Sequence, residues 1–238
     1  MLAKLTFGSR CAAGLVIPDN RDAEFLISPA WRPGQAELDI LILGAEDSRL
    51  RVLEHPWITG HKVLPIDEFA AARRVLVAQL GEFLAGFHAI DPATVPGVVD
   101  RDLVAGIRDL ADRIGDRNAV FEKAYAWLVE HQPPRTATTL VHGDLRLGNV
   151  IVGPDGLNAV IDWELIHLGD PLEDLAWLCL KAWRFGERPE VAGLGTVDEL
   201  FDAYERAGGR PVDQGAFHWW LVHRTLTWGY GCLLQAAT

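Results

Sequence analysis

Between residues 140 and 152 the chain reads LVHGDLRLGNVIV, and between 158 and 163 it reads NAVIDW. An acid, Asp144, stands ahead of an amide, Asn149, and a second acid, Asp162, comes after the next apolar run. Phosphoryl transfer to a hydroxyl needs such parts: one carboxylate to accept or orient the hydroxyl proton, and an amide oxygen and a carboxylate to hold Mg²⁺ against nucleotide phosphates. Mg²⁺ takes hard oxygen ligands, usually with only one or two carboxylates among them. Arg146 lies between the acid and the amide, where a cation offsets charge on a transferring phosphoryl group. His142 completes the candidate catalytic set of Asp144, Arg146 and His142. It is expected to brace the loop through hydrogen bonds rather than to shuttle protons. A lone acid and amide at this spacing could form a simple turn, since both residue types turn and cap well. The placement of Asp162 and Arg146 around them favours chemistry.

Those oxygens converge only if rigid elements carry them. The runs NVIV and NAVIDW, joined by GPDGL, predict a β-hairpin directly after the loop. Upstream, Phe69, Val75, Leu76, Leu80, Phe83, Leu84 and Phe87 recur at helical spacing, with Asp67 as the expected N-cap. Further helical patterns cover 99–115, 117–131, the run LEDLAWLCLKAWRF, 196–208 and 213–236. Residues 1–65 differ: short apolar runs are broken by Gly, Pro, Asp and Asn, which predicts a β-rich piece. The division falls between a small β-rich unit, 1–65, and a larger, mostly helical unit, 66–238.

The chain has 238 residues, 49% of them hydrophobic, and a formal net charge of −11. It is long enough to bury a core. An acidic chain with scattered basic residues does not suit phosphate-backbone or anionic-membrane binding, so no nucleic acid and no membrane are expected as partners. No apolar run approaches the ~20 residues of a membrane span. Cys11, Cys179 and Cys232 are far apart and form no disulfide or metal pattern; buried free thiols in a reducing cytoplasm are expected. Trp219, Trp220 and Trp228 form a helical stripe read as packing.

The strings VHGDLRLGNVIV and VIDWELIHLGDPLEDLAW resemble the aminoglycoside phosphotransferase family, which shares the protein-kinase-like fold. More narrowly, they resemble the branch found as the kinase domain of some acyl-CoA dehydrogenase fusions, as does the C-terminal HWWLVHRTLTWGYGCLLQA. The likeness covers roughly residues 50–238. It implies an α+β fold with a small N-terminal lobe and a helical C-terminal lobe that carries the hairpin at the active site. It implies Asp144 as catalytic base, Asn149 and Asp162 as Mg²⁺ ligands, and ATP as co-substrate. Leu53, Glu54 and His55 become the hinge whose backbone meets the adenine, and Asp170 and Asp174 become structural acids. The acceptor implied is a small-molecule hydroxyl, by analogy a hydroxyacyl thioester.

The nucleotide lobe departs from that pattern. The hinge-like VLEHPWITG begins at Val52, and of the lysines only Lys4 precedes it. Two readings stand: a shortened lobe, or a diverged one in which Arg10, Arg21 or Arg32 replaces the phosphate-binding lysine. A catalytically inactive kinase-like binding module is therefore the alternative to a phosphotransferase. A metal-dependent hydrolase on His142, Asp144 and Asp162 ranks third, because such sites need more ligands than the sequence offers.

Overall fold

The computed structural model describes residues 3–5, 24–27, 38–43, 66–95, 97–115, 118–153 and 155–236. Three short apolar segments near the N-terminus form strands β1 (Ala3–Leu5), β2 (Glu24–Ile27) and β3 (Leu38–Leu43). They make an antiparallel sheet in the order β1-β3-β2, with Lys4 in register with Asp39 and Ile27 with Ile40.

Helix α1 (Ile66–His88) is the spine of the helical body. Ala72, Leu76, Leu80, Phe83, Leu84 and Phe87 recur every three or four residues and are all buried. The helix already includes Ile66, so Asp67 lies in its first turn and does not cap it. Helix α2 (Leu103–Ile114) starts later than its apolar pattern suggests. Val99 and Asp100 pair with Leu168 instead, the Val99 carbonyl accepting from the Leu168 N–H at 2.9 Å. Asp102 then caps α2 through the Ala105 N–H at 3.0 Å. Asn118 caps α3 (Ala119–Glu130) in the same way.

Strand β4 (Thr139–Val141) leads into the polar loop and pairs antiparallel with β7 (His167–Gly169). Between them, β5 (Val150–Gly153) and β6 (Gly156–Val160) form the expected hairpin, with a register shift between Ile151 and Val152. Gln79 of α1 holds this hairpin: its Oε1 accepts from the Leu157 N–H at 2.7 Å and its Nε2 donates to the Asp155 carbonyl at 2.9 Å.

Helix α4 (Leu172–Leu178) is shorter than its sequence pattern. Tertiary bonds capture its terminal carbonyls: Leu178 O accepts from the Ala192 N–H at 3.0 Å and Cys179 O from Arg184 Nη2 at 3.0 Å. A 3₁₀ turn, Lys181–Arg184, stands in place of further α-helix. Helix α5 (Val197–Arg206) opens with a Thr196/Glu199 capping box. It crosses α1 closely at Gly81, where an added Cβ would stand 2.8 Å from the Leu200 carbonyl oxygen. The last helix, α6 (Gln214–Ala236), buries Trp219 and Trp220 and sets Trp228 against Trp177 and Trp183. These tryptophans pack, as expected. Cys179 is buried, and burial pushes its thiol up to about 12; Cys232, expected to be buried, is exposed, and Cys11 lies outside the described residues. No helix among the described residues is long and apolar enough to cross a membrane.

Candidate active site

The loop between β4 and β5 alternates its side chains. Leu145 is fully buried, which turns its neighbours Asp144 and Arg146 outward. The Asp144 side chain is 17% exposed. Its Oδ1 accepts from the Trp177 indole Nε1–H at 2.8 Å. Its Oδ2 accepts from Asn149 Nδ2 at 2.7 Å and from Arg146 Nε at 3.3 Å. A carboxylate has about four lone-pair sites. Three donors occupy three of them, and among the described residues one site on Oδ1 stays open.

Asn149 sits buried at the end of a 3₁₀ turn, Leu147–Asn149. Its Nδ2 donates to both the carbonyl and the carboxylate of Asp144, at 2.8 and 2.7 Å. The amide's two N–H groups are thereby committed, and its Oδ1 is the atom left to meet a cation. Its backbone carbonyl accepts from the Ile161 N–H at 2.9 Å, which ties the loop to the residue just before Asp162. Asp162 is exposed and holds a left-handed backbone with φ +67°. Non-glycine residues reach that region at a cost of about 1–3 kcal/mol, and such strain gathers at functional sites. An amide oxygen and an exposed carboxylate are the hard donors that Mg²⁺ prefers. The residues present therefore fit that ion.

His142 joins the same segments from behind. Its Nε2–H donates to the Ile161 carbonyl at 3.1 Å, and its Nδ1 accepts from the Asp144 N–H at 3.2 Å. Burial holds its imidazole below the usual histidine range, which matches a neutral ring with one donor and one acceptor nitrogen. The ring is fully buried and both nitrogens are engaged. Among the three residues grouped as catalytic, His142 is thus the one that is fully buried with both ring nitrogens bonded to backbone. The hydrolase reading loses its histidine for the same reason. Arg146 folds back over Gly148, where a Cβ would collide with its guanidinium, and its charge lies 5.3 Å from the centre of the Trp183 ring.

Helix α4 supports the loop with charges that the sequence pattern does not pair. Asp174 is fully buried and accepts from the His142 N–H at 2.8 Å, the Gly143 N–H at 2.9 Å and His88 Nε2 at 3.2 Å. Burial alone would raise its pKa, but the His88 bond and the surrounding donors outweigh it and hold the carboxyl below the usual range. His88 is anchored in turn at Tyr204 OH, 3.1 Å away. Glu173, also fully buried, accepts from His167 Nε2 at 3.0 Å and Arg224 Nη1 at 2.8 Å. The other nitrogen of His167 faces the Leu165 carbonyl at 2.8 Å, so both nitrogens need protons. Burial works against that cation, yet the Glu173 carboxylate carries its pKa above the usual range. Asp170 accepts from the Thr136 N–H at 2.6 Å and caps the chain at the Leu172 N–H, 2.9 Å away.

Trp177, Arg224, His88 and His167 do not stand out in the sequence. The run DPLEDLAWL does hold a signal: acids inside an otherwise apolar helix must be buried beside partners, because an unpaired buried charge is costly. The hinge residues Leu53, Glu54 and His55, with Arg10, Arg21 and Arg32, lie outside the described residues.

The chain resembles known proteins in sequence and in fold. A 110-residue segment is 40% identical to acyl-CoA dehydrogenase family member 10 of Mus musculus, covering 41% of this chain and 10% of that protein. A 170-residue segment is 26% identical to family member 11 of the same species, covering 63% of this chain and 22% of that protein. The matched segments thus span under a quarter of either relative's length. The solved structure of a macrolide 2'-phosphotransferase type I superposes with a TM-score of 0.54 over 88% of this chain and 66% of that one, at 24% identity, which is a likeness of fold. The α+β, kinase-like architecture is drawn from that superposition together with the helical body and its hairpin. A sequence model of the phosphotransferase enzyme family matches residues 24–215, a stretch that takes in the Asp144 loop, the hairpin and the helix bearing Trp177, and the chain belongs to that family.

Proposed function

We propose that this phosphotransferase moves the γ-phosphoryl group of ATP, with Mg²⁺, to a hydroxyl of a small molecule. The wiring of Asp144 carries the reading: three donors hold its carboxylate while, among the described residues, one Oδ1 lone pair meets no donor. In this reading Asp144 orients the acceptor hydroxyl and takes its proton as the phosphoryl group transfers. Asn149 and Asp162 would hold the magnesium ion. When bound, that ion neutralises charge on the nucleotide phosphates. Arg146, whose Nε alone is committed to Asp144, offers its remaining N–H groups to the phosphoryl oxygens. His142 acts through the loop and touches no substrate.

Leu53, Glu54 and His55 supply the adenine-facing hinge by resemblance. Residues 1–65 form the nucleotide lobe and 66–238 the catalytic and acceptor lobe. The likeness to acyl-CoA dehydrogenase family members favours a hydroxyacyl thioester as acceptor class, in the cytoplasm. Transfer from labelled ATP, with hydroxyl acceptors and with water, tests the reading. Asp144→Asn should lower turnover by about 10²–10⁴-fold, the range of a lost general base. Equal turnover by both proteins would remove Asp144 from that role. No transfer by the wild type to any acceptor would return the inactive-module reading.

A further inference from the structure

Helix α6 delivers a buried cation to the back of the loop. Arg224 Nη1 donates to Glu173 Oε1 at 2.8 Å, and Nη2 donates to the Gly143 carbonyl. Its guanidinium also lies over the Trp177 ring, 4.1 Å from the centroid. Three surfaces of one side chain are thus in use: two edges of the fork and one face. The Gly143 carbonyl belongs to the peptide bond that enters Asp144. The same residue is gripped from the other side, where the Gly143 N–H meets Asp174 Oδ1 at 2.9 Å. The indole under the guanidinium is the one whose N–H holds Asp144 Oδ1 at 2.8 Å.

The Cβ–Cγ torsion of an aspartate is broad, so its carboxylate needs a hold on each oxygen to keep one orientation. Asn149 and Arg146 both hold Oδ2. Among the described residues, Trp177 holds Oδ1. We propose that Arg224 and Trp177 are a positioning pair for Asp144: Arg224 fixes the peptide plane entering Asp144 and seats the indole, and the indole turns the open Oδ1 lone pair toward the acceptor hydroxyl. The inference rests on the reading of Asp144 as the group that takes the hydroxyl proton. A lysine cannot replace this arginine, because a point charge has neither the planar fork nor the stacking face.

Two measurements on the full chain test the pair. The first is ¹⁵N NMR of the indole N–H groups of its nine tryptophans. The resonance missing from Trp177→Phe identifies the group. It should lie downfield in the wild type, move upfield in Asp144→Ala, and show solvent exchange faster by about tenfold in Arg224→Lys. An indole resonance unchanged by Arg224→Lys would overturn the link. The second is hydrolysis of MgATP with water as acceptor. Trp177→Phe and Arg224→Lys should each lower kcat by about tenfold or more, the scale of a hydrogen bond to a charged group, with KM for MgATP within about twofold. Arg224→Lys keeps a charge beside Glu173. If it still fails to fold, Trp177→Phe, which keeps an aromatic ring, decides the question. Wild-type kcat in Trp177→Phe beside an inactive Asp144→Asn would overturn the positioning pair alone. Normal turnover by Asp144→Asn would instead overturn the reading of Asp144.

Discussion

Replacing Asp174 by Asn removes one charge and one acceptor oxygen from beneath the loop. The carboxylate takes donors on both oxygens: the Gly143 N–H on Oδ1, and the His142 N–H and His88 Nε2 on Oδ2. An amide has one oxygen. Turned to keep the two donors on the Oδ2 side, it points its NH₂ at the Gly143 N–H and leaves that buried donor without an acceptor. Such an orphan costs about 1–3 kcal/mol. The two remaining bonds lose the strength that charge lends them. Together the orphaned donor and the two weakened bonds should cost about 3 kcal/mol. Urea unfolding monitored by circular dichroism reads the change. With a slope of about 2 kcal/mol per molar, the midpoint should drop by about 1.5 M, and phosphoryl transfer should fall with it as the loop loosens. A loss under about 1 kcal/mol would refute the view that Asp174 suspends the loop.

Gly81→Ala should destabilise the fold by about 1–3 kcal/mol, since its Cβ would meet the Leu200 carbonyl at 2.8 Å and Ala203 Cβ at 2.9 Å, and backbone must shift; thermal unfolding measures it. Gly143→Ala should abolish transfer and lower stability, because φ is +84° and the Cβ would stand 2.8 Å from the Leu165 carbonyl, as activity and melting temperature would report. Burial first, then the neighbouring Arg224 charge, pushes His223 down to about 4. Above the ordinary histidine value of about 6.5 its contribution to stability, about 3 kcal/mol, is fully present; it is lost as pH falls toward 4, because the unfolded chain takes up the proton first. Urea titrations between those pH values should show His223→Gln with a flatter slope, by about 1 kcal/mol per pH unit.

Much of the site is legible in the sequence because its parts are local. The acid, amide and second acid stand at short spacing, the hairpin announces itself by turn residues between apolar runs, and α1 emerges from its period. His142 is read from the sequence as a brace, and the ring's two bonds to Ile161 and Asp144 are consistent with that proposal. The hidden part depends on partners far apart in the chain. Trp177 meets Asp144, and Arg224 meets Glu173 and Gly143, through folding alone. The early end of α4 has the same origin, because the Ala192 N–H that captures the Leu178 carbonyl is no part of the helical pattern. The left-handed backbone at Asp162 leaves only a weak trace in residue type, since aspartate reaches that region more readily than most side chains but glycine is its usual signal.

The central claim is that Asn149 and Asp162 hold magnesium against a nucleotide beside Asp144. Calorimetric titration of ATP, with and without Mg²⁺, into the wild-type chain and into Asp162→Ala tests it most directly. The account predicts magnesium-dependent binding by the wild type that is lost in the variant. Binding that ignores magnesium, or that survives Asp162→Ala unchanged, would contradict it.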